Sequence, residues 1–286
     1  MRPNVKIFSL MTLLVVAMVV LLSFRTAANA QSQLFYGDPS AVLFPSDLIS
    51  EKLIEFETTW TSLAEKNISP TGDVAYDRLL PEKAKIDELF NTLISKFSIE
   101  EFEQNQKKAF LINVYNILTI RAILEFYPLR SVMEKVDRTR LGFHFWKDTS
   151  VWIGQKAFSL DYIEHSILRK MSDPRIHFAL VCAAKSCPRL LNASYEFVRI
   201  NDQLQLATKE FFAAKSNFQV NHSEQSVFLS ALMEWYGVDF GQNEQEILTL
   251  LEKFLPASMQ DDLQRPLGEY RIVEYLPYDW SLNDWH

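Results

Sequence analysis

Glycine and cysteine are scarce in this chain. Only seven of its 286 residues are glycine, and no Gly-rich fingerprint that would cradle a phosphate occurs in it. The sequence therefore argues against nucleotide-dependent chemistry, and we expect no cofactor. The two cysteines, Cys182 and Cys187, stand in a Cys-x4-Cys spacing that matches no zinc knuckle or ribbon.

Basic residues are fewer than acidic residues in this chain. The chain has 29 lysines and arginines against 36 aspartates and glutamates, which gives a formal net charge of −7. Binding to a phosphate backbone needs a basic surface, so this balance argues against nucleic acid as a partner.

The first 30 residues have the pattern of a signal peptide. Two basic residues precede an apolar run over 7–24, and Ala28-Asn29-Ala30 is the small-x-small pattern that signal peptidase cuts. We expect 1–30 to be removed on export to the periplasm or the extracellular space. This removes three basic residues and no acidic one, so the net charge becomes −10. An uncleaved membrane anchor is the alternative, because the run is nearly long enough to span a bilayer.

Export limits the expected partners to molecules of the cell envelope. The partner is an unknown envelope substrate or protein, and a membrane is involved only through an uncleaved N-terminal segment. Residues 31–69 are predicted to form an N-terminal extension with a helix over about 45–66. The run Ser69-Pro70-Thr71-Gly72-Asp73 ends this helix, and we assign 70–286 to a single globular domain.

The hydrophobic pattern predicts an α+β fold in which helices enclose a small antiparallel sheet around a central buried helix. The segment 106–127 is apolar on nearly every face and ends before Pro128, which predicts that central helix. β-Hairpins are predicted over 151–158 and 217–229. The aromatic C-terminal tail is expected to seal the core.

Two asparagines interrupt the apolar central helix. Asn113 and Asn116 are three residues apart and therefore lie on one face of the helix. A buried Asn must find hydrogen-bond partners, so the two side chains either hold neighbouring backbone or face a polar cleft.

A short helix predicted over 160–170 carries Glu164 and His165. Adjacent helical residues point about 100° apart, so only one of the two can lie at the centre of a face. His165 titrates near neutrality, which favours it for a site. The alternative is an ordinary half-buried histidine.

The stretch 173–190 contains His177 and both cysteines. Its apolar run over 175–182 predicts a central strand that displays His177 on a face of small residues. Cys187 precedes Pro188, a residue favoured at the first helical position, which predicts Cys187 at a helix N-cap with an acidified thiol. The alternative is a structural disulfide between Cys182 and Cys187.

Five blocks follow one another along the mature chain: AYDRLL, AFLINVYNILTI, FSLDYIEHSILR, DPRIHFALVCAAKSCPRL and YLPYDWSLND. In this order they resemble the blocks of the domain of unknown function 547 family, found in exported bacterial proteins and in plants. The activity of that family is not settled, so the resemblance implies kinship rather than function. Its polar signature falls on Asn113, Tyr115, Asn116, Glu164, His165, His177, Cys182, Ser186, Cys187 and Pro188. One departure is Leu111, where the family pattern has Trp.

Three functions are compatible with these residues. In a thiol-dependent hydrolase or acyltransferase, Cys187 would attack an acyl carbon and His177 or His165 would take the thiol proton. The groups that would orient that histidine or stabilise the oxyanion are Glu164, Asn113 and Asn116. A buried helix, a small sheet and a displayed histidine loosely resemble papain-like and transglutaminase-like folds.

The second function is non-enzymatic: an envelope binding or scaffolding domain with a structural Cys182–Cys187 disulfide. The third is a metal site formed by His165, His177 and Cys187, with its fourth position open.

Overall fold

The computed structural model describes residues 33–135 and 144–285. The predicted signal peptide lies outside the described residues. The architecture is α+β, as predicted, with helices packed around two small sheets. The helices are α1 (Ile49–Asn67), α2 (Tyr76–Leu79), α3 (Lys83–Thr92), α4 (Gln104–Phe126), α5 (Phe145–Asp148), α6 (Ile200–Ala213), α7 (Ala231–Tyr236), α8 (Glu244–Glu252) and α9 (Ala257–Asp261). A π-helix covers Tyr162–Leu168, and among the short 3-10 helices are Ser46–Leu48, Arg169–Met171 and Pro174–Phe178.

Helix α4 is the central buried helix that the sequence predicts. It begins with a capping box in which the side chains of Glu103 and Gln106 each accept from the other residue's backbone N–H. Its last residue is Phe126. Pro128 disfavours a helical conformation at the residue before it, Tyr127, and so ends the helix. By length and composition this helix could cross a membrane, but 89% of its apolar window is buried inside the protein, which is the pattern of a core helix.

Helix α1 packs into the same core as α4. The ring of Phe56 lies against Phe110 with 5.3 Å between the ring centroids, and Leu53 and Trp60 belong to the same buried cluster. The helix of the segment 31–69 therefore shares the core of the part that begins at residue 70.

Each of the two sheets has three strands and mixed pairing. The strands are β1 (Leu34–Tyr36), β2 (Thr149–Ile153), β3 (Lys156–Ser159), β4 (Phe218–Asn221), β5 (Ser226–Ser230) and β6 (Arg271–Leu276). In the first sheet β2 pairs antiparallel with β3 and parallel with β1. In the second, β5 pairs antiparallel with β4 and parallel with β6. Gly154 turns the first hairpin with a φ of +58°, a conformation that glycine adopts at no steric cost.

Both predicted hairpins are present, but two mixed sheets stand in place of one antiparallel sheet. A hairpin has a local signal in its alternation and its turn residues. The third strand of each sheet is parallel and comes from a distant part of the chain, so its pairing leaves no local signal.

The prediction of a strand over 175–182 is wrong. Pro174 begins a 3-10 helix, and the carboxylate of Asp173 caps it by accepting the N–H of Arg175 at 3.3 Å. The same carboxylate pairs with Lys108 of α4 at 2.6 Å, which fixes this turn on the central helix. An apolar run of eight residues does not distinguish a strand from other buried backbone.

The helix predicted to begin at Pro188 is also wrong. Residues 188–199, all within the described part of the chain, contain no helix, and α6 begins only at Ile200. Cys187 instead closes a tight turn that starts at Ala183, whose φ is +64°. Its N–H donates to the carbonyl of Ala184 at 3.1 Å.

The C-terminal tail, 277–285, pairs with three separated segments. Isolated β-bridges join Asp284 to Val74, Ser281 to Ser131 and Leu282 to Ala184. Tyr76 adds a buried hydrogen bond of 2.9 Å from its hydroxyl to the side-chain carbonyl of Asn283. The tail therefore connects the region before α2, the segment after α4 and the cysteine turn.

Candidate functional site

A cleft of about 400 Å³ opens where α4, the π-helix, α7 and the C-terminal tail meet. One group of lining residues is the aromatic wall, which we define as Trp146, Trp235, Tyr278 and Trp280. A second group is the polar floor, which we define as Tyr115, Glu164, His165, His177 and Tyr236. Cys182 also lines the cleft.

The aromatic wall is a cluster of rings in mutual contact. Trp235 and Trp280 stack with their centroids 5.5 Å apart and an interplanar angle of 27°. Tyr278 packs against both rings, at 4.8 Å and 4.6 Å, and Trp146 meets Trp280 edge-on at 6.4 Å. Trp235 remains 43% exposed, so the cluster presents aromatic surface to solvent.

Glu164 is the buried carboxylate of the polar floor. Its Oε2 accepts a hydrogen bond of 3.0 Å from the hydroxyl of Tyr115, and its Oε1 accepts one of 2.6 Å from the hydroxyl of Tyr236. Burial raises the pKa of both tyrosines, and the nearby charge of Glu164 raises each further. Both hydroxyls therefore stay protonated donors, which compensates the desolvation of the carboxylate.

The π-helix itself positions Glu164 and its neighbour. Its wider turn is a rare conformation that occurs frequently at functional sites. Glu164 and His165 both line the cleft, although an α-helix would turn adjacent side chains about 100° apart.

His177 is buried between an acid and an aromatic ring. Its Nε2 lies 2.7 Å from Oδ2 of Asp239, and its ring stacks on Tyr236 with centroids 4.0 Å apart. Burial lowers the pKa of His177, and the hydrogen bond with Asp239 opposes this shift only in part. The imidazole is therefore neutral at pH 7, and with a carboxylate as its partner Nε2 carries the proton and donates it.

Asp239 has a second partner, the guanidinium of Arg169. Arg169 donates to both of its carboxylate oxygens, at 2.6 Å and 2.8 Å. Burial would raise the pKa of Asp239, but the hydrogen bonds from Arg169 and His177 hold it below its usual value. This bidentate pair with Arg169 holds the carboxylate in one orientation and keeps it ionised.

His165 is the half-exposed member of the floor. Its Nδ1 lies 3.2 Å from Nη1 of Arg169 and 3.9 Å from Oε1 of Glu164. The side chain of His165 is 40% exposed and can meet a ligand, whereas that of His177 is enclosed.

The two cysteines form a disulfide, Cys182–Cys187, with 6.3 Å between their Cα atoms. Cys182 lines the cleft, and Cys187 lines a neighbouring, more polar cavity of about 530 Å³ that Lys185 and Arg189 border. Of the residues predicted to converge, His165 and His177 therefore share the cleft with Cys182 rather than with Cys187.

Asn113 and Asn116 hold backbone and do not line the cleft. Asn113 donates to the carbonyl of Tyr195 at 2.8 Å and accepts the N–H of the same residue at 2.8 Å. Asn116 donates to the carbonyl of Ala179 at 2.9 Å and accepts the N–H of Val181 at 3.0 Å. Each side chain thereby supplies both hydrogen bonds that a neighbouring strand would have given this backbone.

The sequence reasoning missed most of the aromatic wall, as well as Tyr236 and Asp239. Tyr278 and Trp280 belong to the aromatic tail that was expected to seal the core; Trp280 does pack against the main core, and both residues also line the cleft. The signal available was the density of aromatic residues in the tail, but it gives no indication that Trp235 and Trp146 approach the same place.

A metal site is not supported within residues 33–135 and 144–285. In this part of the chain no three side chains of His, Cys, Asp or Glu come together in a way that would hold a metal ion.

One family model matches the chain. The family described as "Protein of unknown function, DUF547" matches residues 99–212, which include the central helix, the polar floor apart from Tyr236, and both cysteines. No curated protein and no solved structure matches the chain. The expected likeness to papain-like and transglutaminase-like folds stays a prediction.

Proposed function

We propose that this chain, a member of the DUF547 family through residues 99–212, is an exported binding domain that takes a saccharide into the cleft between the aromatic wall and the polar floor. The observation that carries the proposal is the combination of solvent-facing indole rings with buried, pre-oriented polar groups in one concave site.

The aromatic wall supplies flat apolar contact area. Large exposed aromatic side chains that touch one another lose less conformational entropy on binding than flexible side chains do, because their partners already fix them. The faces of sugar rings carry C–H groups that pack on such surfaces. Trp235, the most exposed ring of the wall, is the natural first contact.

The polar floor supplies directional hydrogen bonds. His165 is half exposed beside Glu164, and each carboxylate oxygen of Glu164 keeps acceptor capacity beyond its tyrosine hydroxyl. Hydroxyl groups of a ligand act as donor and acceptor at once, so they suit a floor with both kinds of group. A volume of about 400 Å³ falls in the range of small-molecule sites.

The disulfide favours binding over thiol hydrolysis. A cysteine nucleophile reacts as a free thiolate, and Cys187 is bonded to Cys182. A disulfide also suits an oxidising compartment, which together with the N-terminal pattern supports export to the envelope.

The test is a titration followed by tryptophan fluorescence, because three of the six tryptophans belong to the aromatic wall. Chitotetraose, cellotetraose and maltotetraose serve as ligands. We expect saturable quenching with at least one of them, and Trp235→Ala should weaken that binding at least about tenfold, or ~1.4 kcal/mol. Tyr162→Ala, which removes an exposed ring outside the cleft lining, should leave it unchanged.

Two results would overturn the proposal. One is the absence of saturable binding to any of the three oligosaccharides. The other is stronger binding of tetramethylammonium than of the sugars, because an aromatic wall beside a carboxylate also suits a cation.

A further inference from the structure

The sulfur of Cys187 is surrounded by hydrogen-bond donors. The backbone N–H groups of Cys182 and Ala184 point at its Sγ, at 3.1 Å and 3.2 Å. The hydroxyl of Tyr278 lies 3.3 Å from the same atom. Within the described part of the chain, the Sγ of Cys182 has one such contact, with that hydroxyl at 3.2 Å. The two sulfurs of one disulfide therefore have different environments.

The backbone between the cysteines places these donors around the sulfur of Cys187. Ala183 has a φ of +64°, a left-handed conformation that is uncommon for a residue with a Cβ and costs energy. Successive N–H groups around such a residue converge into a concavity that binds an anion. The conformation aims two amides at a sulfur that carries no charge while it is oxidised.

We propose that Cys182–Cys187 is a redox-active disulfide that exchanges with an external dithiol, with Cys187 as the sulfur that leaves as a thiolate. The donors around Cys187 stabilise the negative charge that appears only when the bond breaks. A better-stabilised thiolate leaves faster, so the attack is directed at the other sulfur, that of Cys182. Cys182 lines the cleft, which gives the attacking thiol a route to it.

The exchange is a two-electron reaction in two steps. A thiolate of the external dithiol bonds to Sγ of Cys182, the Cys182–Cys187 bond breaks, and its electron pair stays on Cys187. The second thiol of the dithiol loses its proton and attacks its own partner sulfur in the mixed disulfide, which releases Cys182. The dithiol is oxidised to a disulfide, and the two cysteines gain two electrons and two protons.

This inference is separate from saccharide binding. It rests on the sulfur contacts and on the backbone at Ala183, and a sugar bound in the cleft would compete with the attacking thiol for the route to Cys182.

The first experiment locates the attack. The oxidised full-length protein is treated with glutathione, quenched with N-ethylmaleimide and mapped by peptide mass spectrometry. We expect glutathione on Cys182 and maleimide on Cys187. Glutathione on Cys187, equal labelling of both sulfurs, or a folded protein whose disulfide glutathione and dithiothreitol do not open would each overturn the proposal.

The second experiment tests the donors. Tyr278→Phe keeps the ring and removes the hydroxyl, so it should lower the equilibrium constant for reduction in a glutathione redox buffer by about three- to tenfold. Tyr275→Phe, on a neighbouring exposed tyrosine without a contact to sulfur among the described residues, is the matched control and should not change it. An unchanged equilibrium in Tyr278→Phe, or an equal shift in the control, would contradict the role of the hydroxyl.

Discussion

The hydroxyl of Tyr236 donates a hydrogen bond of 2.6 Å to Oε1 of Glu164. The ring of the same tyrosine stacks on His177 at 4.0 Å. One side chain of α7 therefore connects the carboxylate and the imidazole of the polar floor, which lie on two other elements.

Removal of the Tyr236 hydroxyl should destabilise the protein. In Tyr236→Phe the buried carboxylate of Glu164 loses its shorter hydrogen bond, and the desolvation of that oxygen is no longer compensated. We expect a loss of about 1–3 kcal/mol in the free energy of unfolding, measured by urea denaturation. Tyr162→Phe, on an exposed tyrosine, should cost nothing. Equal stability of the two variants would show that Tyr115 alone satisfies the carboxylate.

Glu57 should make stability depend on pH. Only 7% of this residue is exposed, and burial raises its pKa to about 7, although its Oε1 accepts the N–H of Phe197 at 2.9 Å. A folded-state pKa above the unfolded value contributes stability that is complete below about pH 4.5 and is lost as the pH rises through about 7.

Glu57→Gln removes this dependence because the amide stays neutral. Relative to the wild type, the variant should become progressively more stable between pH 5 and pH 8, by about 1–2 kcal/mol at the upper end once solvent screening is allowed for. Urea unfolding at pH 5, 6.5 and 8 measures the trend. The exposed Glu51→Gln is the control, and a constant difference across this pH range would contradict the prediction.

Asn116 should be essential for the segment that carries His177 and Cys182. Asn116→Ala leaves the buried carbonyl of Ala179 and the N–H of Val181 without their side-chain partner. We expect a loss of about 2–4 kcal/mol in the free energy of unfolding. Asn91→Ala, at an exposed helical position, should be neutral. Hydrogen exchange at Val181 provides a local readout, and unchanged protection of that amide would argue against the clamp.

The expected signal peptide predicts the N-terminus of the mature protein. Cleavage after Ala30 leaves Gln31 as the first residue, because Ala28 and Ala30 fit the small-x-small preference of signal peptidase. Intact mass spectrometry of protein from the native host checks this. A protein that begins at Met1 and is extracted only with detergent would favour the membrane anchor.

Sequence reasoning succeeded where the signal is local. The apolar character of 106–127 predicted α4, and the alternation around Gly154 predicted the hairpin of β2 and β3. The asparagines of α4 were recognised as groups that needed partners, although the sequence did not say which backbone they would hold.

It failed where the signal depends on distant partners. The apolar run over 175–182 satisfies its backbone through Asn116, more than 60 residues earlier, so it needs no strand neighbour. The aromatic wall combines residues from three separate segments, and no local period reports that Trp146, Trp235 and Trp280 meet.

The bridges made by the C-terminal tail determine when the cleft can form. During synthesis the ribosome adds 277–285 after all the segments with which this tail pairs have been made. Tyr278 and Trp280 belong to this tail, so half of the aromatic wall and the hydroxyl beside both sulfurs are missing until the tail has been made. Without the tail, the cysteine turn lacks its bridge from Leu282 to Ala184 and the contact of the Tyr278 hydroxyl with Cys187. A chain that crosses a membrane from its N-terminus would therefore complete this site only at its destination.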